Sequence, residues 1–155
     1  MVFILNSLFI ILHFSILCTI FHLMVTASAK WTDNERFLGQ ATSGHALVLD
    51  AAKDKTAPSP MELVLIGLCG CTATDVVTIL RKKREPFTSL EVRAEAERAP
   101  EPPTVYTSIR LTYRVGGQVS KKGMEDAVRL SKEKYCSVSA MLQKTAKITA
   151  VIEYI

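Results

Sequence analysis

The chain has 155 residues, 48% of them hydrophobic, which is the size and composition of one packed domain and excludes a disordered segment. Its formal net charge of +4 arises from 19 basic and 15 acidic residues, a balance too even to indicate a nucleic-acid-binding protein. Of the four cysteines, Cys18 lies in the apolar stretch that opens the chain. The other three, Cys69, Cys71 and Cys136, are too few and of the wrong parity for the disulfide framework of a small secreted scaffold, and they favour a reducing compartment.

An apolar leader occupies residues 1–23. No charged side chain precedes Lys30, and the stretch is long enough to span a bilayer. Residues 27–29 have the small-x-small pattern of a signal-peptide cleavage site, although the basic residues that open such peptides are missing. Because Met24 closes the apolar run, we favour an overextended gene start and predict one domain over residues 24–155.

Three short strand-like segments open this domain, at residues 28–32, 36–41 and 46–50. The pairs Asp33-Asn34 and Ser43-Gly44 separate them, and such pairs favour tight turns. The segments therefore predict a small antiparallel meander.

A long helix follows the polar connector. Ser59 is a good N-cap and Pro60 suits the first helical turn. Residues 61–84 are helix-compatible and apolar on almost every side as far as Ile79, which is typical of a helix buried within a fold or an interface. The basic run at 81–84 complements the helix dipole, and we favour this interpretation over a phosphate-binding patch.

Two strands with alternating apolar and polar residues come next. The inward positions of the first are predicted to be Leu90, Val92, Ala94 and Ala96. Those of the second are predicted to be Val105, Thr107, Ile109, Leu111, Tyr113 and Val115. The two strands are expected to form a hairpin.

Helical spacing over residues 121–134 and 137–146 predicts two further helices, and alternation from Ile148 to Tyr154 predicts a last strand. The expected order is β-β-β-α-β-β-α-α-β. The sequence therefore predicts an α+β fold.

Two segments carry a family resemblance. Residues 57–65 (APSPMELVL) and 69–77 (CGCTATDVV) resemble the central helix of the OsmC/Ohr family, the osmotically inducible and organic hydroperoxide resistance proteins, and are most similar to its YhfA-like subgroup. Residues 133–138 (EKYCSV) match a second family segment, and residues 37–39 and 43–45 also agree.

The resemblance covers residues 29–154 and implies the family's fold, which has antiparallel sheets around a long central helix in an intertwined homodimer. It also implies a thiol peroxidase that reduces organic hydroperoxides in oxidative stress defence without a cofactor. In that mechanism a peroxidatic thiolate, here Cys71, becomes a sulfenic acid, which a resolving thiol, here Cys136, converts to a disulfide. An external dithiol reductant would then restore both thiols.

In the family, an arginine from an early loop and a glutamate near the helix start support the peroxidatic thiolate. The resemblance implies Arg36 and Glu62 for these two roles. Met61, however, stands at the position of the family's glutamate. Nine residues separate Glu62 from Cys71, which places the two on about opposite helix faces. The alternative role for Glu62 is to stabilise the helix start, and the alternative function is that of a non-catalytic small-molecule-binding or redox-sensing protein.

The environments of the cysteines differ. Cys136 precedes a predicted helix, and its N-terminus together with Lys132 and Lys134 favours a thiolate. Cys69 projects about 200° away from Cys71 around the helix, so we predict a small core residue there.

Asp75, one helical turn after Cys71, shares its face and either polarises the site or caps a polar patch. A metal site formed by His45, Cys69, Cys71 and Cys136 is a weaker alternative, since the Cys-x-Cys spacing splays the sulfurs apart on a helix. We predict no metal site.

We predict a cytoplasmic protein with no nucleic-acid partner. A membrane enters only if residues 1–23 are retained, and anchoring or export through residues 1–29 is the alternative location.

Overall fold

A computed structural model describes residues 24–155. The predicted leader at 1–23 lies outside the described residues. The chain divides into two compact units, one ending at Pro60 and the other comprising Met61–Ile155. The single domain over 24–155 stays a prediction.

The first unit contains an antiparallel sheet of three strands in the order β1-β2-β3. The strands are β1 (Ala27–Asp33), β2 (Arg36–Ala41) and β3 (Ala46–Asp50). Their bounds agree with the predicted meander to within a residue. The turn between β1 and β2 places Asn34 at a positive φ of 42°, a conformation that asparagine tolerates better than most residues.

The long helix α1 (Pro60–Lys82) opens at the proline, as predicted, and ends two residues before the predicted Arg84. Arg84 itself adopts a left-handed conformation with φ 58°, which stops the helix. Within the basic run at the helix end, Lys83 forms an ion pair with Asp126 at 2.7 Å. The buried positions of α1 are mostly four residues apart and form one stripe: Leu68, Thr72, Val76, Ile79 and Leu80.

A second sheet has the order β4-β5-β6. Its strands are β4 (Phe87–Arg98), β5 (Tyr106–Gly117) and β6 (Lys147–Tyr154). The predicted hairpin of β4 and β5 is antiparallel, whereas β6 runs parallel to β5, so this sheet is mixed rather than wholly antiparallel. The parallel pairing is possible because a helical crossover connects β5 to β6.

The inward face of β5 was predicted correctly over most of its length, since Ile109, Leu111, Tyr113 and Val115 are buried. The prediction was wrong at the start of the strand, where Val105 and Thr107 are exposed and Tyr106 is buried. A register shift between Glu97 and Arg98 of β4 inverts the alternation there, as a β-bulge does.

The crossover between β5 and β6 has three parts: α2 (Lys121–Leu130), a π-helical turn (Ser131–Tyr135) and α3 (Ser137–Leu142). The predicted helix over 121–134 therefore loses its α-helical geometry after Leu130, and the predicted helix over 137–146 is four residues shorter. The backbone N–H of Cys136 donates to the carbonyl of Ser131 at 2.8 Å, which closes the wide π turn.

Candidate thiol site

Helix α1 and the end of the π-helical turn bring two cysteines and a carboxylate together. The Sγ atoms of Cys71 and Cys136 and a carboxylate oxygen of Asp75 all lie within 4.8 Å of one another. Cys136 is buried, with 3% of its surface exposed, while Cys71 and Asp75 are half-buried. The structure therefore brings together the two cysteines singled out by the sequence, with Asp75 beside them on the helix face predicted for it.

Cys136 caps helix α3, as its position before a predicted helix suggested. Its Sγ accepts a hydrogen bond from the backbone N–H of Ser139 at 3.4 Å. Burial nevertheless raises the pKa of the Cys136 thiol, the neighbouring Cys71 raises it further, and the hydrogen bond from Ser139 only opposes this shift. The expectation that the helix start favours a thiolate at Cys136 is thus wrong, because desolvation outweighs capping by a six-residue helix.

The two lysines expected to support Cys136 have other partners. The Lys132 ammonium donates to the carbonyl of Ile148 at 3.0 Å, and that of Lys134 lies 5.4 Å from the ring centroid of Tyr135. The Lys132 ammonium therefore interacts with a carbonyl of β6, and the Lys134 ammonium interacts with an aromatic ring.

A chain of hydroxyl groups ends on Asp75. The Ser131 hydroxyl donates to Asp75 Oδ2 at 2.9 Å, so its oxygen must accept from Thr72 Oγ1, which lies 2.8 Å away. The single Thr72 proton is then committed, and Thr72 must accept from the Tyr113 hydroxyl at 2.7 Å. Every proton in the chain consequently points toward the Asp75 carboxylate.

The buried end of this chain is Tyr113, of which 1% is exposed. Burial raises the pKa of Tyr113 to about 12, and the hydrogen bond with Thr72 opposes the shift. Tyr113 is therefore a neutral hydroxyl throughout the physiological range.

Cys69 packs against the core half-buried, consistent with the small core residue predicted there. Burial raises the pKa of its thiol, which makes Cys69 a poor nucleophile.

Arg36 and Glu62 keep their sequence-based roles only as predictions. The Arg36 guanidinium forms an ion pair with Asp33 at 2.8 Å within the first unit. Glu62 lies half-buried in the first turn of α1. His45, from the weaker metal alternative, has its Nδ1 3.3 Å from the Ser43 hydroxyl.

A cavity of about 310 Å³ opens beside Asp75, on the side of α1 that faces α2 and the π-helical turn. Its walls are mixed in character, with lysine ammonium groups and apolar side chains: Asp75, Thr78, Ile79, Lys82, Lys83, Leu130 and Tyr135. Asp75 thus borders both this cavity and the two sulfurs.

Sequence reasoning missed Thr72, Ser131 and Tyr113. One signal was available, because Tyr113 lies at an inward position of β5 and a buried phenol needs a hydrogen-bond partner. The partners themselves could not be read from the sequence, because the contacts are long-range. Tyr113 is 41 residues from Thr72 along the chain, and Thr72 is 59 residues from Ser131.

Comparisons with known proteins agree on one family. A family model described as OsmC-like protein matches residues 52–151. Protein YhfA of Escherichia coli K12 is 43% identical over 130 residues, which cover 83% of this chain and 97% of YhfA. The chain belongs to the OsmC family.

Solved structures share the OsmC-like fold. An OsmC-like protein from Mycoplasma pneumoniae matches with a TM-score of 0.76 at 15% identity, covering 85% of this chain and 97% of that one. An organic hydroperoxide resistance protein OsmC from Legionella pneumophila matches with a TM-score of 0.66 at 16% identity, covering 84% and 96%. The predicted α+β OsmC/Ohr-like fold, with two sheets and a long helix, is confirmed.

Among the described residues, α1 is a helix long and apolar enough to cross a membrane. The OsmC family model includes this helix, and its buried stripe packs in the core of the second unit. We therefore interpret α1 as a core helix of the OsmC fold.

Proposed function

We propose that this OsmC-family chain is a thiol peroxidase that reduces organic hydroperoxides with Cys71 and Cys136. One observation carries the proposal: the two sulfurs lie within 4.8 Å of each other, so a modest side-chain rotation brings them to the roughly 2.05 Å of a disulfide. Family membership supports the same chemistry, since the Legionella pneumophila relative is named an organic hydroperoxide resistance protein.

In the first step the Cys71 thiolate attacks the terminal hydroperoxide oxygen. The O–O bond breaks, a sulfenic acid forms on Cys71, and the alkoxide leaves as an alcohol after taking a proton from solvent. In the second step the Cys136 sulfur attacks the sulfenic sulfur. A disulfide forms, and the sulfenic oxygen leaves as water with the proton of the Cys136 thiol.

The raised pKa of Cys136 suits its role as the resolving thiol. A buried thiol that stays protonated competes poorly with Cys71 for the peroxide, and it retains the proton that the departing water requires. An external dithiol would then reduce the disulfide by exchange.

A non-catalytic binding or redox-sensing role is the second candidate. The structure places the Asp75 carboxylate beside Cys71, whereas the thiolate of an activated cysteine is usually stabilised by a nearby cation. A sensor would form the same disulfide slowly and without turnover.

We further propose that the protein acts as a cytoplasmic homodimer. Ile66 on α1 is 54% exposed, and a long, largely apolar helix with such a face gains stability from a partner surface. A reducing compartment fits the three free cysteines of the described chain.

The test is oxidation of the anaerobically reduced full chain by one molar equivalent of cumene hydroperoxide, followed by peptide mapping. We expect a rapid Cys71–Cys136 disulfide, and sulfenic acid on Cys71 in a Cys136→Ser variant. A Cys69→Ser variant is the matched control and should behave as the parent. Oxidation no faster than that of a free thiol would reject the peroxidase and favour the sensing role.

A further inference from the structure

The thiol site has the composition of a metal centre as well as of a redox pair. Two cysteine sulfurs and one carboxylate oxygen converge within 4.8 Å, and each can supply one ligand atom. We propose that the reduced protein binds a zinc ion through Cys71, Cys136 and Asp75. The zinc-bound form would be a resting state of the reduced site, separate from its reaction with peroxide.

The distances fit a small tetrahedral ion. Zinc binds sulfur at about 2.3 Å and carboxylate oxygen at about 2.0–2.2 Å, so the ligand atoms of a tetrahedral site are roughly 3.5–3.8 Å apart. The ligand atoms of this site lie at most 4.8 Å apart, so they would have to approach one another by about 1 Å. Small χ rotations of the three side chains can provide that movement.

The backbone presents two of the ligands as helical metal sites do. Cys71 and Asp75 are four residues apart on α1, so they project from the same face one turn apart. Paired zinc ligands on one helix commonly have this i, i+4 spacing. Cys136 arrives from the end of the π-helical turn and completes three sides of the site.

Hydrogen bonds orient two of the three ligands. The Ser139 N–H donates to Cys136 Sγ, and the Ser131 hydroxyl donates to Asp75 Oδ2. Thr72 and Tyr113 hold Ser131 in place in turn. Supporting partners of this kind fix ligand orientation in known metal sites.

Charge gives a further reason for a cation. Zinc binding would displace the protons of both thiols, and the resulting thiolates and carboxylate would carry three negative charges in a half-buried site, while the cationic groups of Lys132 and Lys134 are directed to other partners. A divalent ion would offset most of this charge and hold both sulfurs as thiolates. The fourth coordination position is left for water or another small ligand, because Cys71 and Asp75 are half-buried rather than enclosed.

This ligand set differs from the site of His45, Cys69, Cys71 and Cys136 that the sequence suggested as a weaker alternative. Asp75 takes the place of His45 and Cys69, and Cys69 lies on the side of α1 away from Cys71. Formation of a Cys71–Cys136 disulfide would remove two of the three ligands. The proposal therefore requires the oxidised protein to release the ion.

The test uses the full chain, reduced and stripped of metal under anaerobic conditions, titrated with Zn²⁺ against a chromophoric chelator and with Co²⁺ as a spectroscopic probe. We expect one ion per chain, a thiolate-to-cobalt charge-transfer band, and no binding after oxidation with diamide. Absence of that band in the reduced protein would overturn the proposal.

Variants identify the ligands. Cys71→Ser, Cys136→Ser and Asp75→Asn should each weaken zinc binding strongly. Ser131→Ala removes the hydroxyl that orients Asp75, together with its bond to Thr72, and should weaken zinc binding by about 10-fold or more. Cys69→Ala and Cys18→Ser are the matched controls and should bind as the parent does. Retention of parental affinity by both Cys71→Ser and Asp75→Asn would reject this ligand set, with circular dichroism checking that each variant folds. Disulfide formation is read by metal-free peptide mapping, so the two proposals can fail independently.

Discussion

Thr72 is the residue on which the buried hydroxyl chain depends. It accepts from Tyr113 and donates to Ser131, so it links β5, α1 and the π-helical turn through one oxygen. In this position a hydroxyl matters more than side-chain shape. Valine has nearly the same shape as threonine and removes both hydrogen bonds at once.

Thr72→Val is therefore expected to destabilise the protein by about 2–4 kcal/mol, because the buried Tyr113 hydroxyl loses its acceptor and the Ser131 oxygen loses the donor from which it accepts. Thr72→Ser keeps the hydroxyl and is the matched control, losing only a methyl group. The free energy of unfolding in urea measures both effects. Equal destabilisation by the two variants would contradict the importance of the hydroxyl chain.

Tyr113 predicts a specific alkaline behaviour. In the unfolded chain a tyrosine loses its proton near pH 10, whereas burial raises the pKa of Tyr113 in the folded protein to about 12. Between these values the folded state holds more protons than the unfolded state, so this tyrosine lowers stability as the pH rises. The slope is about 1.4 kcal/mol per pH unit.

A Tyr113→Phe variant lacks this contribution, and other titrating groups cancel in the comparison. Its stability deficit relative to the parent should shrink by roughly 2 kcal/mol between pH 10 and pH 12, and stay constant from pH 7 to pH 9. Urea unfolding at each pH measures the difference. A deficit that is constant up to pH 12 would show that Tyr113 titrates normally.

At the scale of secondary-structure elements, the π-helical turn sets the phase between Ser131 and Cys136, which is the angle about the helix axis that separates the two side chains. Ser131 at its start must face Thr72, and Cys136 just after its end must face Cys71. An ordinary α-helix would reach the same point with one residue fewer. The extra residue rotates the following chain by about 100° relative to α-helical geometry.

Deletion of the exposed Glu133 is expected to restore α-helical spacing and to keep Cys136 facing Cys71, because an ordinary α-helical turn reaches the same point with one residue fewer. The disulfide yield after peroxide treatment should then match that of the parent, while far-ultraviolet circular dichroism still reports a folded protein. Glu133→Ala is the matched control, since it removes the same side chain but keeps the residue count. A disulfide yield in the deletion variant as low as that of Cys136→Ser would contradict the phase-setting role.

Periodicity identified the elements of the fold because it reports burial directly. The largely apolar character of α1 and the alternation at Ile109, Leu111 and Tyr113 were visible in the sequence for that reason, whereas the buried stripe of α1 was not. The direction of β6 was not visible, because alternation is the same for parallel and antiparallel strands. The family resemblance singled out Cys71 and Cys136, but the hydroxyl chain required the tertiary structure.

At the scale of the whole molecule, the proposed homodimer makes a prediction for α1. Ile66→Asp places a charge on the exposed apolar face of the helix and is expected to halve the mass measured by light scattering, because burying an unpaired carboxylate opposes association. Ile66→Val keeps the face apolar and should leave the mass unchanged. A parent chain that is already monomeric at micromolar concentration would reject the dimer.

The π-helical turn also affects how relatives of this chain are to be recognised. Cys71 and Cys136 are 65 positions apart, and that interval includes the one residue that the wide turn adds. A relative with an ordinary α-helical turn at this point could keep the same two sulfurs in contact with an interval of 64. A search pattern with a fixed spacing between the cysteines would then omit such proteins, whereas a pattern that allows a single-residue gap between Leu130 and Cys136 would retain them.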